Sequence, residues 1–181
     1  MITKEDLANA ILELKKSQEK TDEQLKRTEL EVQKTNKSID KLKELVGNIA
    51  NNQGDVAEEY FVNSLKDNLQ VAGMSFDTLM NNVGIKHKGI RDEFDILLVN
   101  GDSVALIEVK YKVHPNILEK LPKKIEHLKL LPQYKNYKVY AGIAGFYIPD
   151  EVIEEATKRG YFVLQREGDI IQTYTNNLKA A

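Results

Sequence analysis

The chain has 181 residues, 30% of them charged, with a formal net charge of -2 and no cysteine. That length suits one ordinary domain plus an appendage. The balanced charge excludes a chain-wide polyanion-binding surface, and the absence of cysteine excludes disulfides and thiolate metal sites. The first residues, MITKEDLANAILELKK, have no long apolar core and do not read as a secretory signal. No stretch approaches the length of a transmembrane helix, so a soluble cytoplasmic protein with no membrane partner is the expectation.

Residues 4 to about 49 read as one helical segment. Leu7, Ile11, Leu14, Gln18, Thr21, Leu25, Thr28, Val32, Thr35, Ile39, Leu42, Val46 and Ile49 follow steps of four and three throughout. This is the heptad pattern of a coiled coil. Ile11, Gln18, Leu25, Val32, Ile39 and Val46 take the a positions. Leu7, Leu14, Thr21, Thr28, Thr35, Leu42 and Ile49 take the d positions. Ten basic residues balance ten acidic ones over this stretch, so it is not a basic arm for DNA. Such a helix runs roughly 70 Å, too far to bury its stripe on one small domain. Self-association through residues 7–49 is expected, with a parallel dimer favoured by β-branched a residues and trimer, tetramer and antiparallel arrangements left open; the alternative is a single solvated helix in equilibrium with disorder.

The polar run Asn48 to Gln53 and Gly54 reads as a hinge, dividing a coiled-coil segment 1–50 from a domain 54–181. Asp55 suits the N-cap of a second helix reaching about Leu69. Ala57, Tyr60, Phe61, Leu65 and Leu69 form its apolar face, with Glu58 at the edge and Glu59 towards solvent. Ser75 to Val83 reads as a strand, and Gly84 to Arg91 as a basic loop.

Glu93 to Lys112, EFDILLVNGDSVALIEVKYK, is the centre of the domain. Two apolar runs flank Asn100-Gly101-Asp102, the signal of a hairpin. Both strands are apolar at nearly every position, so both faces are covered. Yet Asp95, Glu108 and Lys110 lie within them. Glu108 and Lys110 share a face because they are two apart. A turn at Asn100-Gly101 puts Asp95 diagonal to Glu108, and a turn at Gly101-Asp102 puts the two opposite, about 5–8 Å apart either way. Paired buried carboxylates need a cation. The residues leave three readings open: a hard divalent ion such as Mg²⁺ or Mn²⁺, an ion pair with Lys110, or charges at a frayed strand end.

Beyond the hairpin, Pro115 opens a helix to about Leu131 that Pro122 kinks or restarts and Pro132 ends. Val139 to Ile148 reads as a buried strand, whose Ala144 and Gly145 suggest close backbone packing or a bulge. Pro149-Asp150 starts a helix that ends at Gly160. Phe162 to Gln165 and Ile170 to Tyr174 read as a last hairpin, and the tail as frayed.

Asp95, a twelve-residue gap and Glu108-Val109-Lys110 resemble the signature of the PD-(D/E)XK nuclease superfamily, with Phe94 in place of the usual proline. The resemblance covers roughly residues 54 to 166. It implies an α/β fold with a restriction-endonuclease-like αβββαβ core around a central mixed sheet, preceded here by the long coiled-coil helix. It further implies that Asp95, Glu108 and the carbonyl of Val109 hold Mg²⁺ or Mn²⁺, with Glu58 completing the shell. Lys110 then positions water or stabilises charge on the phosphorane. The activity implied is divalent-metal-dependent phosphodiester hydrolysis, with DNA as the expected substrate.

Charge distribution supports a nucleic-acid partner. Eight lysines between Lys110 and Lys138, among them Lys112, Lys123 and Lys124, face only Glu119 and Glu126. Lys86, Lys88 and Arg91 add a second basic group. Such residues bind phosphates without reading sequence. The competing expectation is a non-catalytic coiled-coil scaffold or nucleic-acid-binding protein whose nuclease-like domain is degenerate.

Overall fold

A computed structural model describes residues 3–87 and 89–181. Lys88 lies outside the described residues. The chain divides into two compact units, one up to Ala50 and one from Asn51. Among the described residues, no helix is long and apolar enough to cross a membrane.

Helix α1 spans Lys4–Lys66. In the first unit its heptad residues Leu7, Ile11, Leu14, Leu25, Val32, Ile39, Leu42, Val46 and Ile49 are all exposed. Each threonine of the polar middle turns its hydroxyl onto its own helix. Thr21, Thr28 and Thr35 donate to the carbonyls of Ser17, Gln24 and Glu31 at 2.9, 3.0 and 2.9 Å. The hydroxyls are thereby satisfied locally and need no partner across a seam.

The helix continues through Asn48 to Gly54, so the expected hinge is not a break in helical structure and Asp55 is not an N-cap. A Gly costs a helix only about 1 kcal/mol, so neither Gly47 nor Gly54 is by itself enough to break it. The helix ends at Lys66, three residues short of the expected end.

The second unit is built on a six-stranded sheet. A small antiparallel hairpin of β1 (Gln70–Val71) and β2 (Met74–Ser75) comes first. The sheet then takes β3 (Thr78–His87), β4 (Ile90–Val99), β5 (Ser103–Lys112), β6 (Lys138–Tyr147), β7 (Phe162–Glu167) and β8 (Ile170–Tyr174) in chain order. The pairs β3–β4, β4–β5 and β7–β8 are antiparallel, while β5–β6 and β6–β7 are parallel. Helix α2 (Leu121–Lys129), preceded by a 3₁₀ turn at Pro115–Ile117, makes the first parallel crossover, and α3 (Asp150–Arg159) the second. Pro122 sits in the first turn of α2, so the helix restarts there as the sequence suggests. Gly160 closes α3 in the left-handed conformation, φ 89.

Two apolar layers cover the sheet. On one face Leu118, Leu121, Ile125 and Leu128 with Val152 and Ala156 pack on Phe94, Leu97, Val104, Leu106 and Ile143. On the other Ala57, Phe61, Val62 and Leu65 pack on Ile96, Leu98, Ile107, Val109 and Phe162. The α/β character with a mixed central sheet and a long N-terminal helix is thus as expected.

Three local expectations are corrected. Gly84 to Arg91 is not a loop: Gly84–His87 belongs to β3 and Ile90–Arg91 to β4, with the turn at Gly89, φ 85. Alternating apolar Val83, Ile85 and Ile90 sustain pairing to the tip of the hairpin. The small residues of β6 mark close packing and not a bulge, since the ladder to β7 is continuous from Gly142 to Gly145. A Cβ on Gly142 would meet the buried Phe162 ring. The tail is tied down: Ala181 N–H donates to the Val139 carbonyl at 2.9 Å and Lys179 N–H to that of Gly160 at 3.0 Å.

Candidate functional site

The β4–β5 turn decides the geometry. Asn100 Oδ1 accepts the Ser103 N–H at 2.9 Å and the Asp102 N–H at 3.3 Å, centring the turn on Gly101-Asp102. Val99 therefore pairs with Val104 and Ile96 with Ile107. Asp95 falls opposite Glu108, the closer of the two expected registers. The ladder stops there. In the neighbouring strand, Asn82 stands opposite Asp95 with φ 51, between the pairs Asn81–Ile96 and Val83–Phe94. Phe94 packs on the α2 face while Ile96 packs on the α1 face, so β4 turns over at Asp95. The carboxylate takes the place of the lost ladder bond, accepting the Val109 N–H at 2.7 Å.

Asp95 and Glu108 are both buried, 9% and 6% exposed. Lys110 reaches back over them. Its Nζ lies 3.2 Å from Asp95 Oδ2, 2.9 Å from Glu108 Oε1 and 2.6 Å from the Val109 carbonyl oxygen. These are the three groups expected to hold a metal. A single cationic point thus contacts all three oxygens, and all are hard donors of the kind Mg²⁺ and Mn²⁺ prefer. The donor set fits such an ion, although among the described residues no group of three or more acidic, His or Cys side chains is arranged to hold one.

The electrostatics follow from burial. Desolvation raises the pKa of Asp95, and Glu108 adds to the rise, while Lys110 and the Val109 N–H oppose it. Burial pulls the Lys110 ammonium down, but Asp95 and Glu108 outweigh it and the net direction is up. Glu58 is half-buried, unlike exposed Glu59. Desolvation and then Asp95 raise its pKa, and Lys110 lowers it. Glu58 is therefore within the field of the cluster, on a cleft of about 300 Å³ that it shares with Asp55, Asn81 and Asn82.

Sequence reasoning placed Lys124 among surface phosphate binders, but the structure brings it into the cluster. Its side chain is 15% exposed, and its ammonium lies against Glu108 Oε2. It donates to the Glu93 carbonyl at 2.6 Å and lies 3.9 Å from Asp92 Oδ1. Asp92 also meets His127 Nδ1 at 2.7 Å. Asp92 and His127 were missed. The available signal was the i, i+3 spacing of Lys124 and His127 on α2, which puts them on one face.

The other basic residues remain at the surface. Lys86 and Arg91 are exposed cross-strand neighbours on the β3–β4 hairpin. Lys123 is exposed on α2, where it borders a cleft of about 330 Å³ shared with Arg91, Lys120, Lys124 and His127. Lys112 is exposed at the end of β5, its Nζ 5.5 Å from the Tyr147 ring. Tyr111 packs on Phe146 with ring centroids 5.2 Å apart, on the side away from the cluster, and is 39% exposed.

The second unit is thus an α/β domain with a buried acidic pair clasped by two lysines. Residues 69–173, more than half of the chain, match the family described as Domain of unknown function (DUF8196), and the chain belongs to that family. The matched segment contains Asp95, Glu108, Lys110 and Lys124, while Glu58 precedes it. No curated protein matches the chain.

Proposed function

We propose that this protein is a cytoplasmic, divalent-metal-dependent nuclease of the PD-(D/E)XK type that hydrolyses phosphodiester bonds in DNA. The observation that carries the reading is the Lys110 ammonium, held by Asp95 Oδ2, Glu108 Oε1 and the Val109 carbonyl. Those groups converge on one cation, as a metal site requires. The order α1, β3, β4, β5, α2, β6 supports a restriction-endonuclease-like αβββαβ core.

Asp95, Glu108 and the Val109 carbonyl would hold Mg²⁺ or Mn²⁺, with Glu58 at the flank. The ion, when bound, polarises the scissile phosphate and lowers the pKa of its water. Lys110 has a 44% exposed side chain, so it can turn outward from the oxygens it now touches. From there its ammonium positions the attacking water or stabilises charge growing on the phosphorane. Lys124 stays with Glu108 and fixes that carboxylate. Lys86, Arg91, Lys112 and Lys123 provide phosphate contacts that position the strand without reading bases. The exposed heptad stripe from Leu7 to Ile49 pairs with a second copy of the chain, bringing two such sites into one particle.

A second reading has one observation in its favour: the two lysines already neutralise both carboxylates. In that case the cluster is a structural ion-pair network, and the heptad helix is the working part of a scaffold. Incubating plasmid, single-stranded DNA and RNA with the protein, in Mg²⁺ or Mn²⁺ and in EDTA, separates the two. Metal-dependent cleavage that Lys110→Ala removes supports the nuclease. Intact substrates under every condition would leave the scaffold.

A further inference from the structure

Tyr147, the last residue of β6, is 61% exposed. It pairs with Lys112 across the parallel ladder, so both side chains leave the sheet on one face. Lys110 leaves on that face too, two residues before Lys112, while Tyr111 between them packs against Phe146 on the opposite side, the rings tilted by 51° with centroids 5.2 Å apart. On β6, the residue beside Lys110 is Gly145. A Cβ there would come within 2.7 Å of Val113 Cγ2 and 3.1 Å of the Lys110 carbonyl, so β6 offers no side chain next to Lys110. The next side chain of β6 on this face is Tyr147. Glu108 of the candidate cation seat pairs with Ile143, and Tyr147 lies four strand residues beyond it, about 13 Å along the strand, so the ring stands about two nucleotides from the seat. The Lys112 ammonium lies 5.5 Å from the ring centroid.

We propose that Tyr147 and Lys112 form a stacking platform for an unpaired base about two nucleotides from the scissile phosphate. The substrate class is then single-stranded DNA, or duplex DNA with unpaired bases near the cut. This rests on the nuclease reading of the neighbouring cluster. The chemistry is that of single-strand recognition: every base has a π face, and an exposed ring with an adjacent cation holds base and phosphate together. Inside a duplex both faces of a base are already stacked, so the ring has nothing to take.

The test measures binding by the full-length chain in EDTA, so that no strand is cut. The probes are a fluorescein-labelled oligothymidine and a blunt duplex of equal length. The parent should bind the single strand more tightly. Tyr147→Ala should weaken single-strand binding about tenfold and leave duplex binding unchanged, while Tyr147→Phe binds like the parent. Lys112→Ala should weaken both probes. Single-strand binding by Tyr147→Ala equal to the parent's, or an equal loss on both probes, would overturn the platform. Cleavage in Mg²⁺ is scored separately. A parent that binds through Tyr147 and cuts nothing keeps the platform and removes the nuclease reading. A parent that cuts while Tyr147→Ala binds normally removes the platform alone.

Discussion

Lys124→Met tests how the acidic cluster is held in place. Methionine keeps most of the apolar stem of the side chain and removes the ammonium, with its charge and its hydrogen-bond donors. Lys124 and Glu108 are 15% and 8% exposed at their side chains, so solvent screens the pair little. The substitution strands Glu108 Oε2, a buried atom with no hydrogen-bond partner of good geometry among the described residues. It also removes the donor to the Glu93 carbonyl. Breaking a buried ion pair from one side costs about 3–5 kcal/mol. Lys110 still touches Glu108 Oε1 at 2.9 Å, so the expected loss lies at or below the lower end, about 2–3 kcal/mol. For a unit of this size the melting temperature should fall by about 6–12 °C. Adding Glu108→Gln removes the stranded charge, and the double variant should lose only about 1 kcal/mol relative to the parent. Near-UV circular dichroism suits the measurement, because all 8 tyrosines lie at or beyond Tyr60. The signal therefore reports the second unit and not the heptad segment. A loss below about 0.5 kcal/mol for Lys124→Met, or a double variant whose loss equals the sum of the singles, would refute the reasoning.

Titration calorimetry with Mg²⁺ or Mn²⁺ should show binding that Asp95→Asn or Glu108→Gln abolishes; equal binding by the variants would move the ion elsewhere. Lys110→Ala should keep the metal and lose most cleavage, and normal cleavage by that variant would remove Lys110 from the chemistry. Sedimentation equilibrium should find the full chain oligomeric and a chain lacking residues 1–50 monomeric. A full chain that sediments as a monomer at tens of micromolar, roughly where weak coiled coils still associate, would leave the heptads as a lone helix. Gly142→Ala should cost about 1–3 kcal/mol in thermal unfolding, because the new methyl group meets the Phe162 ring, which is fully buried and cannot move aside. An unchanged melting temperature would show that the ring has room to shift.

The elements legible in the sequence were those written in local spacing. The four-three steps from Leu7 to Ile49 specify a helix with one apolar stripe, because helical geometry alone sets that period. Pro149 and Gly160 bracket α3 as Pro and Gly do at helix ends, since each acts through its own φ angle. Glu108 and Lys110 share a face by the two-residue period of a strand, and Asp95 could be matched to them through the length of one hairpin. What the spacing could not choose was the register. The Asn100 side chain made that choice by binding the Ser103 N–H, and a shift of the turn moves Asp95 from diagonal to opposite. Lys124, Asp92 and His127 became neighbours of the cluster only when α2 crossed over β4 and β5, a contact between residues that no local period connects. The tail was misjudged for a related reason. Its hold on Val139 and Gly160 is made by backbone groups, which every sequence possesses, so no residue type announces it. Local geometry is encoded in residue spacing, whereas the partners of a buried charge or a free backbone group depend on which segments the packed core brings together.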